Sequence, residues 1–308
     1  MPVTLHSHSG QFCSHAHGTL EEVVQVAQNK GFRVLGLSEH VPRFREADLY
    51  PEESHLTTND LGRIFEDYVQ TARQLQQRYQ SPEFRILVGA ETEYINSESL
   101  VQAQALRERH HLDYLVGSVH HVLEIPIDFD AAGYQRALAA CGGSLESLFG
   151  IYFDAQYQML TALQPEVVAH FDLCRLFAPR DNLLTTSLTP ALWDKVQRNI
   201  DYIVSYGGLF EVNSRAFKKG LPDAYPQRDI LEGGRFTLAD DGHGPNDVGL
   251  YYRQLREYLI TWGINTIYWP VEPDNKHLSS DLPKKVDSMD HVCDHEFWAA
   301  FDIETASN

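Results

Sequence analysis

Basic residues are scarce in this 308-residue chain: 25 Lys and Arg stand against 43 Asp and Glu, a formal net charge of −18. Long nucleic acids are therefore unfavourable partners, because phosphate contacts draw on Lys and Arg. Cysteine is scarce too. Cys13, Cys141, Cys174 and Cys293 lie far apart with no C-x-x-C pair, which argues against a disulfide framework and a zinc knuckle. The chain does not open on a basic segment followed by an apolar one, and no apolar run is long enough to span a bilayer. The expected location is cytoplasmic, with no membrane partner. Also missing are a G-x-S-x-G elbow, a Walker loop and a G-x-G-x-x-G turn. Cys174 and Arg180 have cysteine-phosphatase spacing, but Leu173 stands where a His belongs and no Gly lies between. Asp128-Phe129-Asp130 has the spacing of an aspartyl-phosphate site, but Pro126 breaks the strand that should precede it.

Histidine, by contrast, is abundant, with 15 in the chain. The first segment, Val3-Thr4-Leu5, is a short apolar run that stops at His6, and His8 follows. Residues i and i+2 of an extended strand point to one side, so the two imidazoles aim together. The same event recurs. Val34–Ser38 ends in Glu39 and His40, and Ile86–Ala90 ends in Glu91. Tyr114–Val119 ends in His120 and His121, and Val167–Ala169 ends in His170 and Asp172. Leu209–Asn213 follows, and Arg235–Ala239 ends in Asp240, Asp241 and His243. Helical patterns lie between: one capped by Thr19-x-x-Glu22 and closed by Gly31, then Asp60–Tyr79, Leu100–Arg109, Ser147–Leu163, Ala191–Ser205 and Val248–Trp262.

Strands alternating with helices imply a parallel α/β sheet, and about seven units without a composition break favour a barrel over an open sheet. In either architecture the site lies at the carboxyl ends of the strands, which is where the polar residues fall. Residues 1–308 read as one domain. Within 263–308, an extra strand at Asn265–Trp269 and an acidic, aromatic tail are expected as an appendage.

The candidate ligands are His6, His8, His17, His40, Glu91, His120, His170, Asp241 and His243. Imidazoles with two carboxylates suit zinc, manganese or iron, while calcium and magnesium prefer oxygen shells. The set is too large for one ion, so two or three divalent ions are expected, bridged by a carboxylate. Such ions activate a shared water and clamp attacking and leaving oxygens, which points to hydrolysis. Singly, each strand-end His is more often structural; together they are hard to explain without a metal. Either His15 or His17 can be the ligand of that loop. His121 and Asp240 point the other way on a regular strand and fit supporting or core roles. Glu39 either orients a ligand or is buried against the sheet.

These segments, with Leu37-Ser38-Glu39-His40-Val41-Pro42-Arg43, Ile125-Pro126-Ile127-Asp128-Phe129-Asp130 and Glu211-Val212-Asn213, resemble the PHP (polymerase and histidinol phosphatase) superfamily over Leu5 to about Leu250. His120-His121-Val122 and the Ile-Pro-Ile-Asp-Phe-Asp stretch resemble its histidinol-phosphatase branch. The resemblance implies a distorted (β/α)7 barrel and three ions in a row. His6, His8, Glu91 and Asp241 would hold the first. Glu91 would bridge to the second, completed by His120 and His170. His17, His40 and His243 would hold the third. The implied reaction is hydrolysis of L-histidinol phosphate by a metal-activated water in histidine biosynthesis, with Glu91, Asp241 and His243 as catalytic residues. Arg175, and Arg215 or Lys218, are candidates for the phosphate, and Asp128 or Asp130 for the cationic end. Two other readings stand beside it: a PHP hydrolase of another phosphoester or nucleotide, and a metal-binding protein without turnover.

Overall fold

In the computed structural model, residues 2–179, 188–230, 234–271 and 285–302 are described. Arg180 and residues 272–284 of the tail, which figure in the sequence reading, lie outside them.

The seven main strands are β1 (Val3–Thr4), β3 (Val34–Leu37), β4 (Arg85–Glu91), β5 (Tyr114–Gly117), β8 (Val167–Val168), β9 (Leu209–Asn213) and β10 (Arg235–Ala239), and they lie side by side in chain order. Every neighbouring pair is parallel. The edges also meet. The Leu5 amide donates to Leu238 O at 3.2 Å, and just above it β2 (Ser7–His8) pairs in parallel with β11 (Gly242–His243). The result is a nearly closed α/β barrel, as the alternating pattern predicts.

Local chemistry sets the helices. Helix α1 (Leu20–Asn29) starts on the expected capping box: the Glu22 amide donates to Thr19 Oγ1, and the Thr19 amide to Glu22 Oε2 at 2.7 Å. Helices α2 (Thr58–Tyr79), α3 (Ser97–His110) and α5 (Leu145–Leu163) follow, and α6 (Pro190–Tyr206) opens with Pro190 in its first turn and closes on Gly207 at φ 79°. One helix is not announced by periodicity. Helix α4 (Ala131–Ala140) is capped by Asp130, whose Oδ1 accepts from the Gly133 amide at 2.6 Å. That commits Asp130 to the fold. Ahead of it, β6 (His121–Val122) and β7 (Ile125–Pro126) form a hairpin whose turn residues, Leu123 and Glu124, both have positive φ, as a tight two-residue turn requires. This hairpin carries Asp128 and Phe129 over the strand ends.

Below the strand ends the barrel is filled by side chains. Tyr114 is fully buried, donates to Leu5 O at 2.9 Å and crosses the space that a Cβ at Gly36 or Gly89 would occupy. The expected late strand is present as β12 (Ile267–Pro270), paired antiparallel with β13 (Val286–Met289). The last described residues pack back on the domain. Phe297 meets Phe32 at 5.0 Å between ring centres, and Phe301 meets Tyr252 of helix α8 (Tyr252–Thr261) at 5.5 Å.

Candidate metal centre

His6 and His8 leave the barrel at the β1–β2 step, both fully buried, with ring centres 5.1 Å apart. Opposite them, Asp241 sits between β10 and β11 at φ 49°, in the left-handed region that Asp tolerates better than most residues. That turn brings its Oδ1 to 3.8 Å from His6 Nε2 and 3.7 Å from His8 Nε2.

Glu91, the last residue of β4, stands at the centre. Its Oε2 lies 3.2 Å from His6 Nε2, 3.4 Å from His8 Nε2 and 2.9 Å from His40 Nδ1. Its Oε1 lies 3.2 Å from His120 Nε2 and 3.3 Å from His170 Nε2, and accepts from Ser118 Oγ at 2.6 Å. The two oxygens of one carboxylate thus face two different groups of imidazoles. Four sets of donor atoms emerge: His6, His8 and Asp241; Glu91, His120 and His170; His8, His40 and His243; and Cys13, His15 and His40.

Behind the imidazoles stand carboxylates. His6 Nδ1 is 2.8 Å from Glu211, His120 Nδ1 is 2.8 Å from Glu93, and His8 Nδ1 is 3.4 Å from Glu39. A carboxylate at Nδ1 holds the proton there and leaves Nε2 bare and facing inward. Glu39, open between two roles in the sequence, therefore orients His8; it also accepts from the Ser9 amide and hydroxyl. Glu93 and Glu211 were not among the candidate residues. The signal for Glu93 is its place two residues beyond Glu91; Glu211 sits inside a quoted motif, in the middle of β9.

Charge in the ion-free protein follows this geometry. Burial works to lower the His6 pKa, but Glu91, Glu211 and Asp241 together raise it well above its ordinary value. His8 is opposed by burial in the same way and lifted by Glu39 and Glu91 to about 9. His120 is raised despite burial, by Glu93, Asp128 and Glu91. Burial, with His8 nearby, keeps His243 neutral, and burial pushes His40 down to about 3. Burial would raise Glu91, yet His6, His40 and His120 hold it well below the carboxylate range. The cluster draws in positive charge that imidazole protons supply only in part.

The donor set fits divalent ions. His6 Nε2, His8 Nε2 and both ring nitrogens of His40 are buried without a hydrogen-bond partner among the described residues. Ligand bonds of about 2.1 Å put neighbouring donor atoms roughly 3.0–3.4 Å apart, close to the separations around Glu91. Buried nitrogens at these spacings, left unpaired, cost free energy unless a cation takes their lone pairs.

Above this floor opens a cavity of about 310 Å³. Its lining bears on three expectations. His15 borders it and stacks near His243 and His40, with ring centres 4.9 and 5.5 Å away; His17 does not border it. The His17 backbone is pinned instead, its amide donating to His243 O at 3.1 Å and its carbonyl accepting from Gly10, and its ring packs over Gly244. Arg175 is buried outside the lining. Its Nε donates to Asp172 at 2.7 Å, its Nη2 to Ala224 O at 2.7 Å, and it stacks 4.8 Å from the Tyr225 ring centre. Lys218 is turned to Asp247, and the next residue, Lys219, borders the cavity in its place. Arg215 lines the cavity while paired with Asp247, and Asp128 lines it with Oδ1 buried and without a partner among the described residues. His121 faces Glu93 at 3.6 Å, and Asp240 accepts from the Gly242 and Gly249 amides.

Known proteins resemble this chain in sequence and in fold. A family model described as the PHP domain matches residues 4–215. The chain is 49% identical over 272 residues to a Schizosaccharomyces pombe protein assigned as a histidinol-phosphatase, covering 87% of this chain and 89% of that one. It is 34% identical over 291 residues to the histidinol-phosphatase of Saccharomyces cerevisiae, covering 83% and 87%. Among solved structures, the histidinol phosphate phosphatase of Lactococcus lactis, complexed with zinc, L-histidinol and phosphate, superposes with a TM-score of 0.62 at 18% identity, over 85% of this chain and 94% of that chain. A Listeria monocytogenes protein assigned to the same activity superposes with a TM-score of 0.71 at 22% identity, over 82% and 99%. Strand-end ligands, barrel and relatives together place the chain in the PHP-domain superfamily, in its histidinol-phosphatase branch.

Proposed function

We propose that this chain hydrolyses L-histidinol phosphate to L-histidinol and phosphate, using three divalent ions. The observation that carries the reading is a cavity above the imidazole floor whose lining holds charges of both signs. Arg215, paired with Asp247, and Lys219 stand in it as cations, and Asp128 stands there with an Oδ1 that has no partner among the described residues. The substrate also carries both signs, with a phosphate dianion at one end and an ammonium and imidazole at the other. The relatives' names, and the histidinol and phosphate in the Lactococcus lactis structure, support the same assignment.

His6, His8, Glu91 and Asp241 would hold one ion, Glu91 with His120 and His170 a second, and His15, His40 and His243 a third. Bound there, the ions lower the pKa of a water and neutralise the phosphoryl oxygens. Glu39, Glu93 and Glu211 keep three of the ligands in the tautomer that presents Nε2. Arg215 and Lys219 attract the dianion, and Asp128 takes the ammonium, which sets the direction in which the substrate lies.

The test is kcat/KM on L-histidinol phosphate beside p-nitrophenyl phosphate, with protein stripped by a chelator and reloaded with zinc or manganese. A strong preference for histidinol phosphate that returns only with metal is expected. Equal, weak rates on both would sink the substrate; turnover indifferent to stripping would sink the ion assignment.

A further inference from the structure

Tyr225 is 2% exposed and borders the cavity, yet its hydroxyl has no hydrogen-bond partner among the described residues. Three other buried tyrosines are each paired. Tyr68 donates to Gly89 O at 2.8 Å, Tyr114 to Leu5 O at 2.9 Å and Tyr134 to Cys174 O at 2.8 Å. A buried hydroxyl without a partner is costly, and such a group calls for an explanation. Tyr206 is the other unpaired case, but it lies on α6 and does not border the cavity.

The ring is held firmly. Its backbone bonds twice to Asn213 at the end of β9, at 2.8 and 3.2 Å, and the Arg175 guanidinium backs its face. Its neighbours fix where the hydroxyl works. The ring meets His170 at 6.2 Å between centres, and Asp241 and Asp128 line the same cavity. Tyr225 therefore stands between the ligand floor and the residue that receives the substrate's cationic end. In a bound phosphomonoester, the atom between those two regions is the ester oxygen.

We propose that Tyr225 is a catalytic residue that donates its hydrogen bond to the ester oxygen and delivers the proton that the leaving alkoxide needs. This rests on the phosphatase reading above. In the step, the bond from phosphorus to the ester oxygen breaks and one from phosphorus to the attacking water's oxygen forms. The phenolic proton passes to the alkoxide, giving the alcohol, and a proton released by the water restores the phenol. It also gives Arg175 a positioning part, as the group that backs the Tyr225 ring.

The experiment is Tyr225→Phe in metal-loaded protein, assayed on L-histidinol phosphate and on p-nitrophenyl phosphate, with metal content and Tm measured in parallel. An alkoxide needs a proton to leave and a nitrophenolate does not. The expected result is a fall of about 10²-fold in kcat on the alkyl ester, with the aryl rate held within about twofold. Metal content should stay the same, and Tm should hold or rise, since no intramolecular bond is lost. Equal losses on the two esters, no loss on either, or loss of bound metal would overturn the proposal. If the wild type shows no preference for histidinol phosphate, the substrate reading fails by itself. The ratio of alkyl to aryl loss, read on another alkyl phosphate that the enzyme turns over, still decides the role of Tyr225.

Discussion

Glu211→Gln changes one charge and almost no volume, and its effect can be worked out atom by atom. The Glu211 carboxylate is fully buried and accepts three donors. Oε2 takes His6 Nδ1 at 2.8 Å; Oε1 takes the His170 amide at 3.1 Å and Asn213 Nδ2 at 2.5 Å. A glutamine amide offers one accepting oxygen and one donating nitrogen. With its oxygen toward His6, its NH2 would oppose two donors, each left unsatisfied at about 1–3 kcal/mol. With its oxygen toward His170 and Asn213, only His6 is affected: Nδ1 must become the acceptor, and the proton moves to Nε2. The second arrangement costs less, so it wins. It puts a proton on the nitrogen that faces Glu91 and Asp241 at 3.2 and 3.8 Å, where an ion needs a lone pair. Losing such an outer partner typically weakens metal binding about 10–100-fold, or roughly 1.4–2.7 kcal/mol. The assay is a chelator-competed metal titration of wild type and variant, with circular dichroism as a check on folding. A folded variant that binds the tightest ion as well as wild type would refute the tautomer reasoning.

Two further outcomes are expected. His15→Ala should release part of the bound metal and cut kcat, while His17→Ala should leave both near wild type; metal analysis with steady-state kinetics decides, and the reverse pattern would restore His17 as ligand. In stripped protein, stability should fall from pH 7 to pH 9. The folded state holds the His8 proton up to about pH 9, against about 6.5 for the unfolded chain. Its contribution is therefore complete below about pH 6.5 and is lost as pH rises through 9. Ion uptake must expel that proton, so ion affinity should tighten over the same range. A flat Tm for stripped protein from pH 7 to 9 would count against it.

Much of the site was legible because a barrel turns a one-dimensional pattern into a place. Polar residues at strand ends converge, so His6, His8, His40, Glu91, His120, His170 and Asp241 could be read from position alone. The loops were less legible. His15 and His17 have the same local spacing to everything nearby, and what separates them in the fold is a backbone bond from His17 to His243, distant in sequence, with only His15 bordering the cavity. The cations failed for a related reason. Arg175 looked free beside a ligand strand, but Asp172, three residues before it, and the carbonyls near Tyr225 had already claimed it. Lys218 and Lys219 are adjacent on a short helical turn and face different ways, which charge alone does not reveal.

The supporting carboxylates explain a feature that composition leaves puzzling: an acidic protein reading as a handler of an anionic substrate. Glu39, Glu93 and Glu211 are buried and turned to imidazole Nδ1 atoms, away from the cavity. Glu91 and Asp241 face inward, where ions would offset them. On the phosphatase reading, Glu91 and Asp241 would serve the ions, and Arg215 and Lys219 in the cavity wall would be left for the phosphate. Without ions the floor would present two uncompensated carboxylates to a dianion, so the charges that hold the ions would also repel the substrate. On that reading ion loading would be a condition for binding as well as for chemistry. The carboxylates would serve both steps: they orient the imidazoles toward the centre, and they would strengthen the hold on the cations that offset the phosphate charge.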